Sequence, residues 1–278
     1  MLQAQILDAD FYPIIVDTHP AVRNRTSHGR HAAIKGHISA SSTAIRVRSK
    51  TAIWIAAIVF CAVLLSLLAV RVSAWMDRRH ETELLALVNP WNSVDYAGFE
   101  PRLTDIGNGK KVDERCAEAL QQMLSDCAAA GNAPYICSAY RTREYQAMLY
   151  QNKVERLMAT GLSEREAAPL AALEVARPGT SEHELGLAVD IVDINHQALD
   201  QSQEKTATQQ WLMENSWQYG FILRYPNGTT GITGYLYEPW HYRYVGQTAA
   251  EQIKQLGITL EEYLTMFYSE EAIVVFDD

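Results

Sequence analysis

The chain has 278 residues, 48% of them hydrophobic and 21% charged, which suits one ordinary domain with appendages and excludes a wholly disordered polymer. Its formal net charge is −9, unevenly spread: residues 1–50 hold seven Lys or Arg against three acids, whereas residues 71–278 hold 17 against 30. So acidic a C-terminal portion lacks the basic surface that nucleic acid requires, and nucleic-acid binding is excluded as a leading function.

Residues 1–50 are polar, histidine-rich and without sustained periodicity, and are predicted to form a disordered tail. Residues 51–70, TAIWIAAIVFCAVLLSLLAV, contain no charge. About 20 apolar residues rising ~1.5 Å each match the ~30 Å hydrocarbon core of a bilayer, so a transmembrane anchor is predicted over 51–72. A core helix would show a polar stripe, and this segment shows none. Arg46, Arg48 and Lys50 precede it, so the tail is expected in the cytoplasm and the remainder outside the cytoplasmic membrane. Val72, Ser73 and Ala74 loosely resemble a signal-peptide cleavage site, but the long apolar run and the long leading tail favour an uncleaved anchor.

Residues 73–100 read as a stalk with some helix, 101–268 as the folded domain and 269–278 as an acidic tail. Within the domain, apolar residues at helical spacing predict a helix over 112–129, ended by Gly131 and Pro134. A strand is predicted over 135–139, then helices over 142–161 and 163–176, the second opened by a capping box of Ser163 and Glu166. Residues 187–194 read as a buried strand and 209–220 as a helix closed by Gly220. Residues 221–226 and 235–246 read as strands, and 248–257 and 259–268 as helices. Helices that precede and interrupt a small antiparallel sheet make the fold class α+β.

Cys61 lies in the apolar run, while Cys116, Cys127 and Cys137 fall in what is expected to be an oxidising space. On one helix, eleven residues separate Cys116 from Cys127 by ~16 Å of rise, too far to bridge. One disulfide is expected, from Cys137 to either of them, with three reduced thiols as the alternative.

Four histidines follow the anchor: His80, His183, His196 and His241. His183 sits in GTSEHELGLAVDI, seven residues before Asp190, where Gly179 and Gly186 flank a turn that lets the histidine approach an ion. His241 sits in YEPWHYRYVG, three residues after Glu238, a carboxylate whose aromatic neighbours suit it to general-base work. Two imidazoles and one carboxylate match a three-ligand catalytic zinc site with a fourth position left for water. A regular strand would turn Glu238 and His241 to opposite faces, so Pro239 is expected to mark a bulge or bend. Asp193 and His196 are rival ligands of the right chemistry in a polar loop. Arg141, in SAYRTREYQ, stands at a strand-to-helix junction from which a guanidinium can grip a carboxylate through two hydrogen bonds. Its bland alternative is a surface arginine paired locally, for instance with Glu144.

Taken together and in this order, SAYRTREYQ, ARPGTSEHELGLAVDI and YEPWHYRYVG resemble the VanY-type D-alanyl-D-alanine carboxypeptidases, zinc peptidases of the bacterial cell wall. The similarity extends over about residues 112–264. The resemblance implies a compact α+β domain of the D-Ala-D-Ala peptidase/hedgehog-like kind, whose antiparallel sheet bears one Zn2+ on one face. It implies His183, Asp190 and His241 as metal ligands and Glu238 as catalytic base and proton shuttle. Arg141 would bind the substrate's terminal carboxylate or stabilise the oxyanion. Ser138, Gln146 and Ser181 would belong to the same substrate pocket, with Tyr140 and Trp240 as its walls. The expected activity is removal of the C-terminal D-alanine from peptidoglycan stem peptides by a monomer. L,D-carboxypeptidase or endopeptidase action in the same scaffold is the alternative, and a non-catalytic wall-binding module, against which Glu238 speaks, is a further one.

Overall fold

The computed structural model describes residues 42–95 and 100–268. The acidic tail over 269–278 and the N-terminal tail as far as residue 41 lie outside the described residues. Helix α1 spans Ser42–Leu84. Its stretch Ala52–Val72 is, among the described residues, the one long and apolar enough to cross a membrane. Side chains such as Ile53, Phe60 and Leu68 are exposed along it, as a lipid-facing segment requires. A signal sequence meets the same criteria of length and composition.

From Leu85 onward the chain packs. Leu85 and Val88 are buried, so the packed unit starts ahead of the expected boundary near Pro101. The Asn89 side chain fixes this entry: its Oδ1 accepts from the backbone N–H groups of Trp91 and Asn92, both at 3.0 Å, and its Nδ2 donates to Glu261. A hairpin that the periodicity did not predict follows, β1 (Leu103–Asp105) paired antiparallel with β2 (Lys111–Asp113). Its turn contains Gly107, Asn108 and Gly109, all at positive φ.

Asp113 ends β2 and caps α2 (Glu114–Ala129), accepting from the backbone N–H of Arg115 at 3.0 Å. Cys116, Leu120, Met123 and Cys127 form the buried stripe of α2. Next come β3 (Pro134–Ser138), α3 (Arg143–Met158) and α4 (Glu164–Ala172), and the Ser163–Glu166 capping box is present. A 3-10 turn over Glu182–Leu185 leads into β4 (Ala188–Asp193). The helix read over 209–220 resolves into α5 (Ala207–Asn215) and a 3-10 turn, Ser216–Tyr219, closed by Gly220 at φ 78°. Then follow β5 (Phe221–Leu223), a short α6 (Thr230–Thr233), β6 (His241–Tyr244), α7 (Gln247–Leu256) and α8 (Leu260–Phe267).

The main sheet runs β3–β4–β6–β5, antiparallel throughout. On β4, Val189 and Ile191 join Leu187, Leu120, Met123, Phe221 and Tyr242 in the largest core cluster. Each fully buried aliphatic side chain there stabilises the fold by about 1.5–3 kcal/mol. Because side chains alternate along a strand, Asp190 between them points to the opposite face. A second cluster seats α7 and α8 on Leu85, Ile222 and Val245, and a third packs α3 on α4 through Val154, Ala167 and Ala171.

Two expectations need correction. The segment 235–246 is not one long strand: only His241–Tyr244 pairs in the sheet. Residues 238–241 form a turn in which His241 N–H donates to the Glu238 carbonyl at 3.2 Å, with Pro239, which has no N–H to give, at its corner. The expected disulfide is absent too, and all four cysteines are free thiols. Cys116 and Cys127 are buried in the α2 core, while the Cys137 thiol, at a bulge in β3, contacts the Asp190 carbonyl at 3.3 Å. Burial pushes the Cys116 and Cys137 thiols up to about 12, keeping them unreactive.

Candidate metal centre and active site

Sheet register builds the centre. Ser138 of β3 pairs with Asp190 of β4, and Asp190 pairs with His241 of β6. His183 arrives from the 3-10 turn, which ends at Gly186 in the left-handed region with φ 70°. A Cβ at Gly186 would lie 3.0 Å from the backbone nitrogen of Asp113, so glycine is needed there both for its φ and for close approach to β2.

Asp190 lies between the two imidazoles. Its Oδ2 is 3.2 Å from His183 Nε2, and its Oδ1 is 3.1 Å from His241 Nδ1. Among the described residues these three form the one cluster that can hold a metal, with ligand atoms within 4.8 Å of one another. All three are buried. His183 Nδ1 is 2.7 Å from the Ala139 carbonyl oxygen, which can only accept, so Nδ1 carries the proton and the Nε2 lone pair faces the centre. Two imidazole nitrogens and a carboxylate oxygen, converging without thiolates, suit a zinc ion with an open fourth position.

The electrostatics agree at Asp190 and His183. Burial would raise the Asp190 carboxyl, but His183 and Arg141 hold it well below the usual carboxylate range. Burial, and then the Arg141 charge, pull His183 down to about 4, so it stays neutral and able to ligate. His241 is opposed by burial yet raised to about 9 by hydrogen bonds to Asp190 and Glu182, so a metal bound there would have to displace a proton from it.

Glu238 Oε2 lies 3.8 Å from His241 Nδ1. Burial, reinforced by the Asp190 charge, pushes its carboxyl up to about 8. Arg141 is braced rather than free: Nη2 donates to Asp190 Oδ2 at 2.5 Å, Nε to Ser138 Oγ at 2.8 Å and Nη1 to Gln146 Oε1 at 3.3 Å. Gln146 is itself held by the Ala176 carbonyl, to which its amide donates at 2.8 Å. None of these partners is the local Glu144.

A cleft of about 620 Å³ opens over the centre, and Arg141, Ser181, Glu238 and Trp240 line it together with the three metal-site residues. Ser138, Tyr140 and Gln146 are not among its lining residues. Ser138 and Gln146 stand behind Arg141 as its supports, and the Tyr140 backbone N–H donates to the Lys111 carbonyl at 2.9 Å. The rival ligands are engaged elsewhere. Asp193 accepts from Thr208 Oγ1 at 2.6 Å, and His196 Nε2 is 2.5 Å from Ser202 Oγ.

Sequence reasoning missed Glu182. Fully buried, it lies 3.4 Å from His241 Nε2 and pairs with two fully buried arginines, Arg224 and Arg243. A signal was present: arginines inside apolar strand sequences need a buried counter-charge.

The family model described as VanY, D-alanyl-D-alanine carboxypeptidase, matches residues 109–247, half of the chain. The chain belongs to the VanY family. A curated relative, the D-alanyl-D-alanine carboxypeptidase of Enterococcus faecalis, is 43% identical over 180 residues. That match covers 65% of this chain and 65% of the relative, so the chain spans just under two thirds of the relative's length. A solved vancomycin resistance D,D-pentapeptidase VanY in complex with Zn(II) is 42% identical over 66% of this chain and 99% of its own, with a TM-score of 0.60. VanYB in complex with D-alanine-D-alanine is 42% identical over 66% and 98%, with a TM-score of 0.61. The LD-carboxypeptidase LdcB is 33% identical over 66% and 87%, with a TM-score of 0.57.

Proposed function

We propose that this protein is a zinc-dependent D,D-carboxypeptidase that removes the C-terminal D-alanine from peptidoglycan stem peptides. The observation that carries the reading is the convergence of His183, Asp190 and His241 beneath a cleft that Glu238 and Arg141 also line. Membership of the VanY family, with a relative solved in complex with Zn(II) and another with D-alanine-D-alanine, supports it.

His183 through Nε2, Asp190 through a carboxylate oxygen and His241 through Nδ1 would hold the zinc, which when bound supplies a Lewis acid that polarises a carbonyl and acidifies a water. Glu238 takes the proton of the attacking water on its carboxylate and returns it to the departing amine. A carboxyl raised to about 8 by burial exchanges protons near neutral pH, which favours this shuttle over a fixed counter-charge. Arg141 presents its guanidinium to the cleft and binds the terminal carboxylate of the substrate. Its other contacts, to Ser138 and Gln146, hold it at fixed depth, so only substrates ending at that depth bring the scissile bond to Glu238. Ser181 and Trp240 border the same space.

Under this reading α1 anchors the enzyme in the cytoplasmic membrane with its N-terminus inside, supported by the apolar stretch Ala52–Val72 and by Arg46, Arg48 and Lys50 before it. The packed unit then faces the wall as a monomer.

The likeness to an LD-carboxypeptidase favours one second reading, cleavage of the tetrapeptide. Incubating the protein with pentapeptide and tetrapeptide stems and weighing the products decides between them. Loss of one alanine from the pentapeptide is expected, and cleavage of the tetrapeptide alone would sink the D,D assignment.

A further inference from the structure

Glu182 immediately precedes a predicted ligand, yet it reaches the other histidine. Its Oε1 accepts from Arg224 Nε at 2.7 Å and lies 2.8 Å from Arg243 Nη1. The second contact is a charge pairing, because Arg243 Nη1 has no aligned hydrogen-bond acceptor. The remaining oxygen, Oε2, turns to His241 Nε2 at 3.4 Å.

The two arginines are tied down in turn. Arg224 forks onto both oxygens of Glu261 on α8, at 2.9 and 2.7 Å. Arg243 Nη2 donates to the carbonyls of Leu84 and Ala86, at 2.8 and 3.0 Å, where α1 ends and the core begins. Two glutamates and two arginines balance in charge. A buried carboxylate is costly when unpaired, and the flanking guanidinium groups offset that cost. Glu182 therefore stays ionised and can only accept.

Without metal both ring nitrogens face carboxylate oxygens, Nε2 that of Glu182 and Nδ1 that of Asp190 at 3.1 Å. A metal would displace the proton on Nδ1, while the acceptor fixed at Nε2 keeps the other and leaves Nδ1 as the ligand atom. His183 is set the opposite way by the Ala139 carbonyl. We propose that Glu182, clamped between Arg224 and Arg243, is the positioning residue that holds His241 with Nδ1 toward the metal, and that Arg243 carries this support to the backbone at the end of α1. The inference rests on the zinc reading above.

The test uses the full chain in detergent. In E182D the carboxylate withdraws by one methylene but both arginines keep a counter-charge. Zinc affinity, measured by competition with a chelating indicator, is expected to fall by about 10- to 100-fold, with altered ligand-field bands in the Co(II)-loaded protein. E261Q perturbs the same network without touching His241. It should lower the thermal midpoint while zinc affinity stays within about twofold of the parent, the size of effect that a mere loosening of the fold would leave. An E182D protein with parental zinc affinity and parental Co(II) bands would overturn the assignment, as would an E261Q protein that loses zinc as strongly as E182D. Should E182D fail to fold, the parent loaded with 113Cd decides: scalar coupling to His241 Nδ1 is expected, and coupling to Nε2 refutes the proposal. A parent that takes up no metal sinks the zinc reading itself and this inference with it.

Discussion

Asp190 and His241 are direct partners across the β4–β6 ladder, with Asp190 Oδ1 3.1 Å from His241 Nδ1. Fifty residues of chain separate them, and strand register alone brings them together. A one-residue slip would turn Asp190 into the core and Val189 toward the cleft, so the hydrophobic pattern of β4 also protects the metal site.

Glu238 is close to the centre without belonging to the ligand cluster. E238A is therefore expected to cut turnover by about 10²- to 10⁴-fold while leaving stoichiometric zinc. Product mass spectrometry beside metal analysis checks both halves, and activity that survives the change would exclude the assigned base.

The centre is braced without metal, since Arg141, His183 and His241 all contact Asp190. Chelation is expected to abolish turnover yet keep the helical circular dichroism, with zinc restoring activity and raising the thermal midpoint. Unfolding on chelation would show that the metal organises the domain instead.

Lysine at position 141 keeps the charge but cannot serve Ser138, Gln146, Asp190 and a substrate carboxylate together. R141K is expected to raise KM by about tenfold or more, with a smaller change in kcat, because one charge-assisted hydrogen bond is worth about 1.5–3 kcal/mol. A fall in kcat at constant KM would assign Arg141 to the oxyanion instead of the terminal carboxylate.

Asp113 gives a pH prediction remote from the metal. Burial would raise its carboxyl, but hydrogen bonds and charge from Arg115 outweigh burial and lower it in the folded protein. A depressed folded value means that the unfolded chain binds more protons at acidic pH. The contribution of Asp113 is thus complete above the unfolded value, about 3.9, and disappears as pH falls through the folded one. D113N is expected to cost about 1–3 kcal/mol near pH 7, with the gap to the parent closing below about pH 4. Thermal unfolding over a pH series measures this, and a gap independent of pH would assign Asp113 a purely steric capping role.

Free thiols at Cys61, Cys116, Cys127 and Cys137 predict four alkylation sites in the denatured, unreduced protein. A mass showing only two would indicate a bridge after all.

Much of this protein was legible in its sequence because the signals are local. Helix faces, the Ser163–Glu166 box and the apolar stretch of α1 follow from spacing and capping chemistry. The metal-site trio and Glu238 could be read from residue types in a characteristic order. What escaped depends on contacts between segments far apart in the chain. The β1–β2 hairpin is short and only partly buried, so it leaves little periodicity to read. The strand read over 235–246 breaks because the Pro239 turn, and not alternation, aims Glu238. Leu85 and Val88 look like stalk until α2, α7 and α8 cover them. Glu182, Arg224 and Arg243 read as three separate charges, and only the closed sheet makes them one neutral cluster behind His241. Sequence by itself determined which groups could do the chemistry. Tertiary structure decided which atom of each faces the centre, because strand register and buried charge pairing depend on neighbours that no local window contains.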